Sequence, residues 1–230
     1  MRLGLTSSTY QYLFGGWLFP DRSKLDFNLY GQPYPYFAQT PVHVDPAQQL
    51  EWLIEKTARL ELDVIHAGIA RWDDPRYLDK IKSMLARHEL ELMPAIAGDF
   101  VNTGDEAKKA IDSPSLRFLF DTGNTLTVCE DPVDAALDAA KHTVLVHLKD
   151  LRVHPWNPGR EFVSVMYACP LGRGHVDNRR ILEIMREQAP DPKNLCLSLE
   201  LMPMPPNEDE DRWVDASIAY AKQAFAEFLN

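Results

Sequence analysis

A parallel β sheet wrapped by helices, rolled into a β/α barrel, is the architecture that the sequence predicts, and three observations predict it. Short β-type apolar runs alternate with amphipathic helical stretches. The helical stretches carry clear start signals. Ionisable residues collect where the strands end. The alternation of strand and helix requires a parallel sheet covered by helices. Both a doubly wound sheet and a barrel would satisfy it. No G-x-G-x-x-G or G-x-x-x-x-G-K-[ST] is present to favour a nucleotide-binding sheet. Polar strand ends favour the barrel, whose C-terminal rim carries catalytic groups drawn from several strands.

The strands are expected in RLGLTS from Arg2, LDVIHAG from Leu62, LELMPAIAG from Leu90, LRFLFD from Leu116, TVLVHLKD from Thr143 and LCLSLEL from Leu195. Between them, Asp45-Pro46, Asp74-Pro75 and Asp131-Pro132 open the stretches QQLEWLIEKTARL, RYLDKIKSMLARH and VDAALDAAKH. In each, the Asp can accept from free amides of the first turn, and Pro suits the first helical position. Asp177 opens NRRILEIMREQ in the same way, and a closing helix is expected over about 208–229. The acidic run NEDEDRW reads as the solvated start of that helix, where acids suit the helix dipole.

The chain has 230 residues, enough for one large domain with a real core, and residues 1–230 are read as a single barrel domain. Hydrophobic content of 45 % with 25 % charged residues is ordinary for a globular protein. No apolar run is long enough to cross a membrane, and the N-terminus does not read as a signal peptide. Cys129, Cys169 and Cys196 lack metal-type spacing, and a reduced, cytoplasmic setting is the simplest expectation. The formal net charge of −10 argues against a nucleic-acid partner, because such affinity comes largely from Lys and Arg set against phosphates.

Side chains alternate along a strand, so the facing of each rim residue can be read. In LCLSLEL, Leu195, Leu197 and Leu199 share one face and leave Glu200 pointing into the barrel mouth with Cys196 and Ser198. His147 shares a face with Leu145, opposite Val144 and Val146, and Asp121 shares one with Leu119, opposite Phe118 and Phe120. Two carboxylates and an imidazole thus meet at one rim. A divalent cation would relieve the repulsion between the acids, and mixed O/N donors suit Mn, Mg, Co, Fe or Zn. Taken singly, each residue has a plainer role: Asp121 as a cap, Glu200 as an ion-pair partner, His147 as a core histidine. His66, at the end of the second strand, is either a rim ligand or substrate contact or a structural residue.

The succession FLFDTGN, VHLKD, PLGRGHVDNRRIL and LSLEL resembles the sugar phosphate isomerase/epimerase superfamily of xylose-isomerase-like TIM barrels. Ketose epimerases and the barrel subunits of C-glycoside deglycosidases belong to that group. The resemblance covers most of the chain and is strongest over 116–201. It implies a metal-binding enzyme of carbohydrate metabolism that moves a proton next to a carbonyl in a sugar, cyclitol or keto-glycoside. It implies Asp121, His147 and Glu200 as metal ligands, with Glu200 also an acid/base. Asp150 is placed near the site by the family pattern, and Arg152 and His154 become candidate substrate contacts. Gly172, Gly174 and Asp177 resemble the family's loop into its penultimate helix. Two other functions stay open: a partner-dependent or non-catalytic barrel subunit, as a homo- or hetero-oligomer, and an endonuclease-IV-like phosphodiesterase, which the negative charge disfavours. The aromatic stretches YQYLFGGWLFP and LYGQPYPYFAQ suit stacking on a flat ring, and equally an interface or a lid.

One departure from the family stands out. Its members have eight βα units and a fourth ligand, a Glu at the end of their fifth strand. Only six strands are recognised here, so about two units are missing, ~60 residues at about 30 per unit. The junction is placed near Ile111-Asp112, after the short stretch GDEAKKAI. A deletion form, a partner chain that completes the barrel and an omitted segment all fit. Asp99 and His66 are the candidate substitutes for the fourth ligand.

Overall fold

The computed structural model describes residues 1–10, 45–71, 73–94, 118–155, 164–202, 204 and 208–230. The elements, in chain order, are β1 (Arg2–Thr6), α1 (Pro46–Arg59), β2 (Val64–Ala67), α2 (Pro75–His88), β3 (Glu91–Pro94), β4 (Phe118–Asp121), α3 (Pro132–Ala139), β5 (Thr143–Leu148), β6 (Leu151–Pro155), β7 (Ser164–Ala168), α4 (Asn178–Gln188), β8 (Cys196–Leu199) and α5 (Glu210–Ala224). All six expected strands are present.

The helix starts form as the Asp-Pro pairs predict. Asp45 accepts from the Ala47 amide at 2.9 Å. Asp74 accepts from Arg76 and Asp131 from Val133, each with Pro in the first turn. Such a cap contributes about 1 kcal/mol. Asp177 and Asp209 cap α4 and α5, and Glu210 and Asp211 occupy the first turn of α5, as the acidic run suggests. The stretch after Asp131 is shorter than expected: α3 ends at Ala139 and a 3-10 turn over Ala140–His142 leads into β5. Among the described residues, no helix is long and apolar enough to cross a membrane.

The main sheet is parallel, in the order β3-β2-β1-β8-β5-β4. Its first and last strands pair side by side, with Leu3 opposite Leu197 and Leu5 opposite Leu199. On the other flank of β8, His147 lies opposite Ser198, and Asp121 in turn lies opposite His147. These registers bring the ends of β4, β5 and β8 level. Among the described residues, β3 and β4 form the edges of the sheet. The predicted junction at 111–112, Asp99 and the two aromatic stretches beyond Tyr10 all lie outside the described residues.

The alternation of side chains separates two cores. Leu195, Leu197, Leu199, Val146 and Phe120 join the main core with Ile181, Leu182 and Val214 of the covering helices. Val64, Leu145 and Cys196, with Met93 and Leu119 against them, form a smaller cluster on the inner face. A fully buried aliphatic side chain contributes about 1.5–3 kcal/mol, so a shift of register by one residue would be strongly opposed. One element was not expected. β6 and β7 pair antiparallel as a hairpin beside the rim, with Arg152 opposite Tyr167.

Candidate metal centre

β4, β5 and β8 end together, and their last inward-facing side chains meet. Asp121, His147 and Glu200 offer ligand atoms that all lie within 4.8 Å of one another. His147 Nδ1 stands 3.4 Å from Glu200 Oε2 and 3.7 Å from Asp121 Oδ2. Glu200 and His147 are 6 % and 8 % exposed. The strand pattern therefore brings together the three residues proposed from the sequence.

The two carboxylates are used alike. Asp121 Oδ1 accepts from the Gly123 and Asn124 amides, at 2.9 Å each. Glu200 Oε1 accepts a short hydrogen bond from the Ser8 hydroxyl, just beyond β1. One oxygen of each acid is thus fixed by neutral donors, which leaves Asp121 Oδ2 and Glu200 Oε2 to face cations.

A fourth member of the cluster escaped the sequence reading. The Lys149 ammonium lies 2.7 Å from Glu200 Oε2 and 3.0 Å from Asp121 Oδ2, and it donates to Asn124 Oδ1 at 3.0 Å. Lys149 is 3 % exposed. The signal was available: Lys149 follows His147 by two residues and so shares its face, whereas Asp150 falls on the other. The same alternation takes Asp150 away from the acids. Its carboxylate accepts from the Gly172 amide at 3.0 Å, the Gly174 amide at 2.8 Å and the Val176 amide at 3.2 Å. A Cβ on Gly174 would lie 2.1 Å from Asp150 Oδ1, so glycine at this position lets the loop close on the acid.

His66, at the end of β2, also reaches the cluster. Its Nδ1 is 2.9 Å from His147 Nε2, so the imidazole of His147 is held between His66 and the two acids. Arg152 is exposed on β6, and His154 lies on the same strand, with its side chain outside the described residues.

Electrostatics follows from these contacts. Burial opposes a charge on His147, but the Glu200 and Asp121 carboxylates outweigh it and raise its pKa to about 9. Burial, with His147 nearby, lowers His66 to about 4, so this imidazole is neutral at pH 7. Burial also opposes the charges of Lys149 and Glu200. Mutual attraction wins, holding Lys149 above and Glu200 below their ordinary values. Asp150 shifts upward, because burial exceeds the help of its backbone donors.

The donor set fits a divalent cation. Around a metal with bonds of about 2.1 Å, neighbouring donors stand about 3.0–3.4 Å apart, and the His147–Glu200 separation falls at the edge of that range. Among the described residues, Asp121 Oδ2 is buried without a well-directed hydrogen bond, and Lys149 and His147 meet its charge. Two carboxylate oxygens and one imidazole nitrogen suit Mg, Mn, Co, Fe or Zn. Among the described residues no fourth acid joins them.

A family model described as "Xylose isomerase-like TIM barrel" matches residues 46–224. Among solved structures, the chain is similar to a xylose isomerase domain protein from Planctomyces limnophilus, with 17 % identity and a TM-score of 0.40. The match covers 79 % of this chain and 63 % of that one. It is also similar to a xylose isomerase-like TIM barrel protein from Mycobacterium smegmatis in complex with magnesium, with 16 % identity and a TM-score of 0.43. There the match covers 80 % of this chain and 68 % of the other. A third is an L-ribulose 3-epimerase, with 15 % identity, a TM-score of 0.40 and coverage of 81 % and 69 %. The chain thus spans roughly two thirds of the length of these structures, and of the first somewhat less. No curated protein matches the sequence.

Proposed function

Because the chain belongs to the xylose isomerase-like TIM barrel family, we propose that it is a divalent-metal-dependent isomerase, epimerase or related lyase acting on a sugar, cyclitol or keto-glycoside. The observation that carries this reading is the meeting of Asp121, His147 and Glu200 at the C-terminal ends of adjacent parallel strands. These three side chains would hold the ion. When bound, it supplies Lewis acidity to a substrate carbonyl and so acidifies the adjoining C–H.

The remaining work falls to the chain's own groups. Glu200 is ionised at neutral pH, so it can accept a proton from a substrate carbon and return it. Ser8 anchors Oε1 and thereby aims Oε2 into the site. Neutral His66 fixes the ring of His147, as outer partners of ligating histidines do. Arg152 and His154, both in β6, would meet substrate oxygens. Asp150 acts at one remove, by shaping the 172–176 loop.

Solvent proton exchange tests this reading. Incubated in D₂O with Mn²⁺ and a panel of ketoses and keto-glycosides, the protein is expected to place deuterium next to the carbonyl of its substrate. Glu200→Gln should abolish that exchange, and chelation should reduce it to background. Exchange that persists in Glu200→Gln would remove Glu200 from the reaction.

A further inference from the structure

The segment Asp121-Thr122-Gly123-Asn124 is built around Lys149 as much as around a metal. The Thr122 hydroxyl donates to the Lys149 carbonyl at 2.8 Å and accepts from the Lys149 amide at 2.9 Å. A Cβ on Gly123 would lie 2.9 Å from Lys149 Cδ, so glycine leaves room for the aliphatic stem. Asn124 and Asp121 both take the ammonium. Four consecutive residues therefore seat one side chain and deliver its charge, nearly free of solvent, to the space between two acids.

The oxygens that receive this charge are the ones a metal would need. Lys149 binds Asp121 Oδ2 and Glu200 Oε2, the same atoms that His147 Nδ1 faces. A fixed ammonium and a divalent ion drawing on the same two oxygens repel one another across a poorly solvated space, where such repulsion is weakly screened. The fourth acid that would offset the extra charge is not found among the described residues.

We propose that Lys149 is a resident cation of this cluster: it holds the two carboxylates together in the metal-free chain and sets the metal affinity low by competing for them. The proposal rests on the reading that Asp121, His147 and Glu200 hold a divalent ion. It assigns Lys149 a positioning role, which favours a centre that loads and releases its metal readily.

Mn²⁺ titration of the chelator-treated full chain, followed by calorimetry and by the EPR signal of free Mn²⁺, tests it. Lys149→Met and Lys149→Gln are compared with the wild type, and the melting temperature of each metal-free protein is recorded. The second variant keeps a hydrogen-bond donor of similar length, so it guards against loss of folding in the first. Both variants should bind one Mn²⁺ at least roughly tenfold more tightly, and their metal-free forms should melt lower. Unchanged or weaker Mn²⁺ binding by a folded variant overturns the proposal, while the metal site stands if wild-type binding is lost in Glu200→Gln. Wild-type Mn²⁺ binding that survives Glu200→Gln unchanged overturns both the proposal and the site reading.

Discussion

Asp150 and Glu200 are both buried carboxylates, 1 % and 6 % exposed, yet they are held by opposite means. Asp150 is satisfied by three backbone amides of the 172–176 loop, and its pKa shifts upward. Glu200 takes the Ser8 hydroxyl on Oε1 but meets Lys149 and His147 on Oε2, and its pKa shifts downward. Amide donors cannot leave without remaking the backbone, so Asp150 fixes a loop. Ionic partners can be exchanged for another cation, which the proposed metal role of Glu200 requires.

Deleting the amide-bound acid has the largest expected effect. Asp150→Ala leaves three amide donors without their acceptor, at about 1–3 kcal/mol for each that stays buried. A total loss of about 3–5 kcal/mol is expected in chemical denaturation, whether or not metal is present. Gly174→Ala should lose stability by the same route, since its new methyl would strike Asp150. If Asp150→Ala denatures like the wild type, the loop does not depend on this acid.

A smaller effect distinguishes the two acids by pH, measured on chelated protein. The folded-state pKa of His147, about 9, lies above the ordinary value of 6.5. Its contribution is therefore fully present below about pH 6.5 and is lost as pH rises through 9, a decline of up to about 3 kcal/mol. Glu200 has the opposite sign: its contribution is present above its ordinary value of 4.5 and is lost as pH falls through its depressed folded value. The His147–Glu200 attraction is one interaction seen from both sides, so the two losses are not summed. Maximal metal-free stability is expected near pH 6.5, because burial holds His66 at about 4 and its cost sets in as pH falls below the ordinary value of 6.5. Asp150, shifted upward, adds no stability on the alkaline side. His147→Gln should flatten the decline between pH 6.5 and 9, and an unchanged decline would place the titrating group elsewhere.

Much of this was legible before the structure, for definite reasons. Asp45, Asp74 and Asp131 announce helices because a capping acid before Pro has few other uses. Glu200, His147 and Asp121 could be faced correctly because strand side chains alternate and their leucine, valine and phenylalanine neighbours needed the outer core. Lys149 was missed although the same alternation placed it inward, because a lysine beside an acid reads as surface charge until its burial is seen. Asp150 was placed near the site by the family pattern, and its anchoring to amides 22 to 26 residues away has no local signal in the sequence. The β6–β7 hairpin was invisible because its strands carry Pro155, His154 and Arg152 rather than a clean apolar alternation. Ser8 was passed over because nothing in TSST shows that its hydroxyl meets a residue 192 positions later.

The proposed divalent-metal centre rests on Asp121, His147 and Glu200 together. Elemental analysis of the metal-loaded, desalted protein, repeated on Asp121→Ala and Glu200→Ala, tests it most directly. The wild type is expected to carry one equivalent of metal and both folded variants almost none, whereas stoichiometric metal retained in both variants would contradict the assignment.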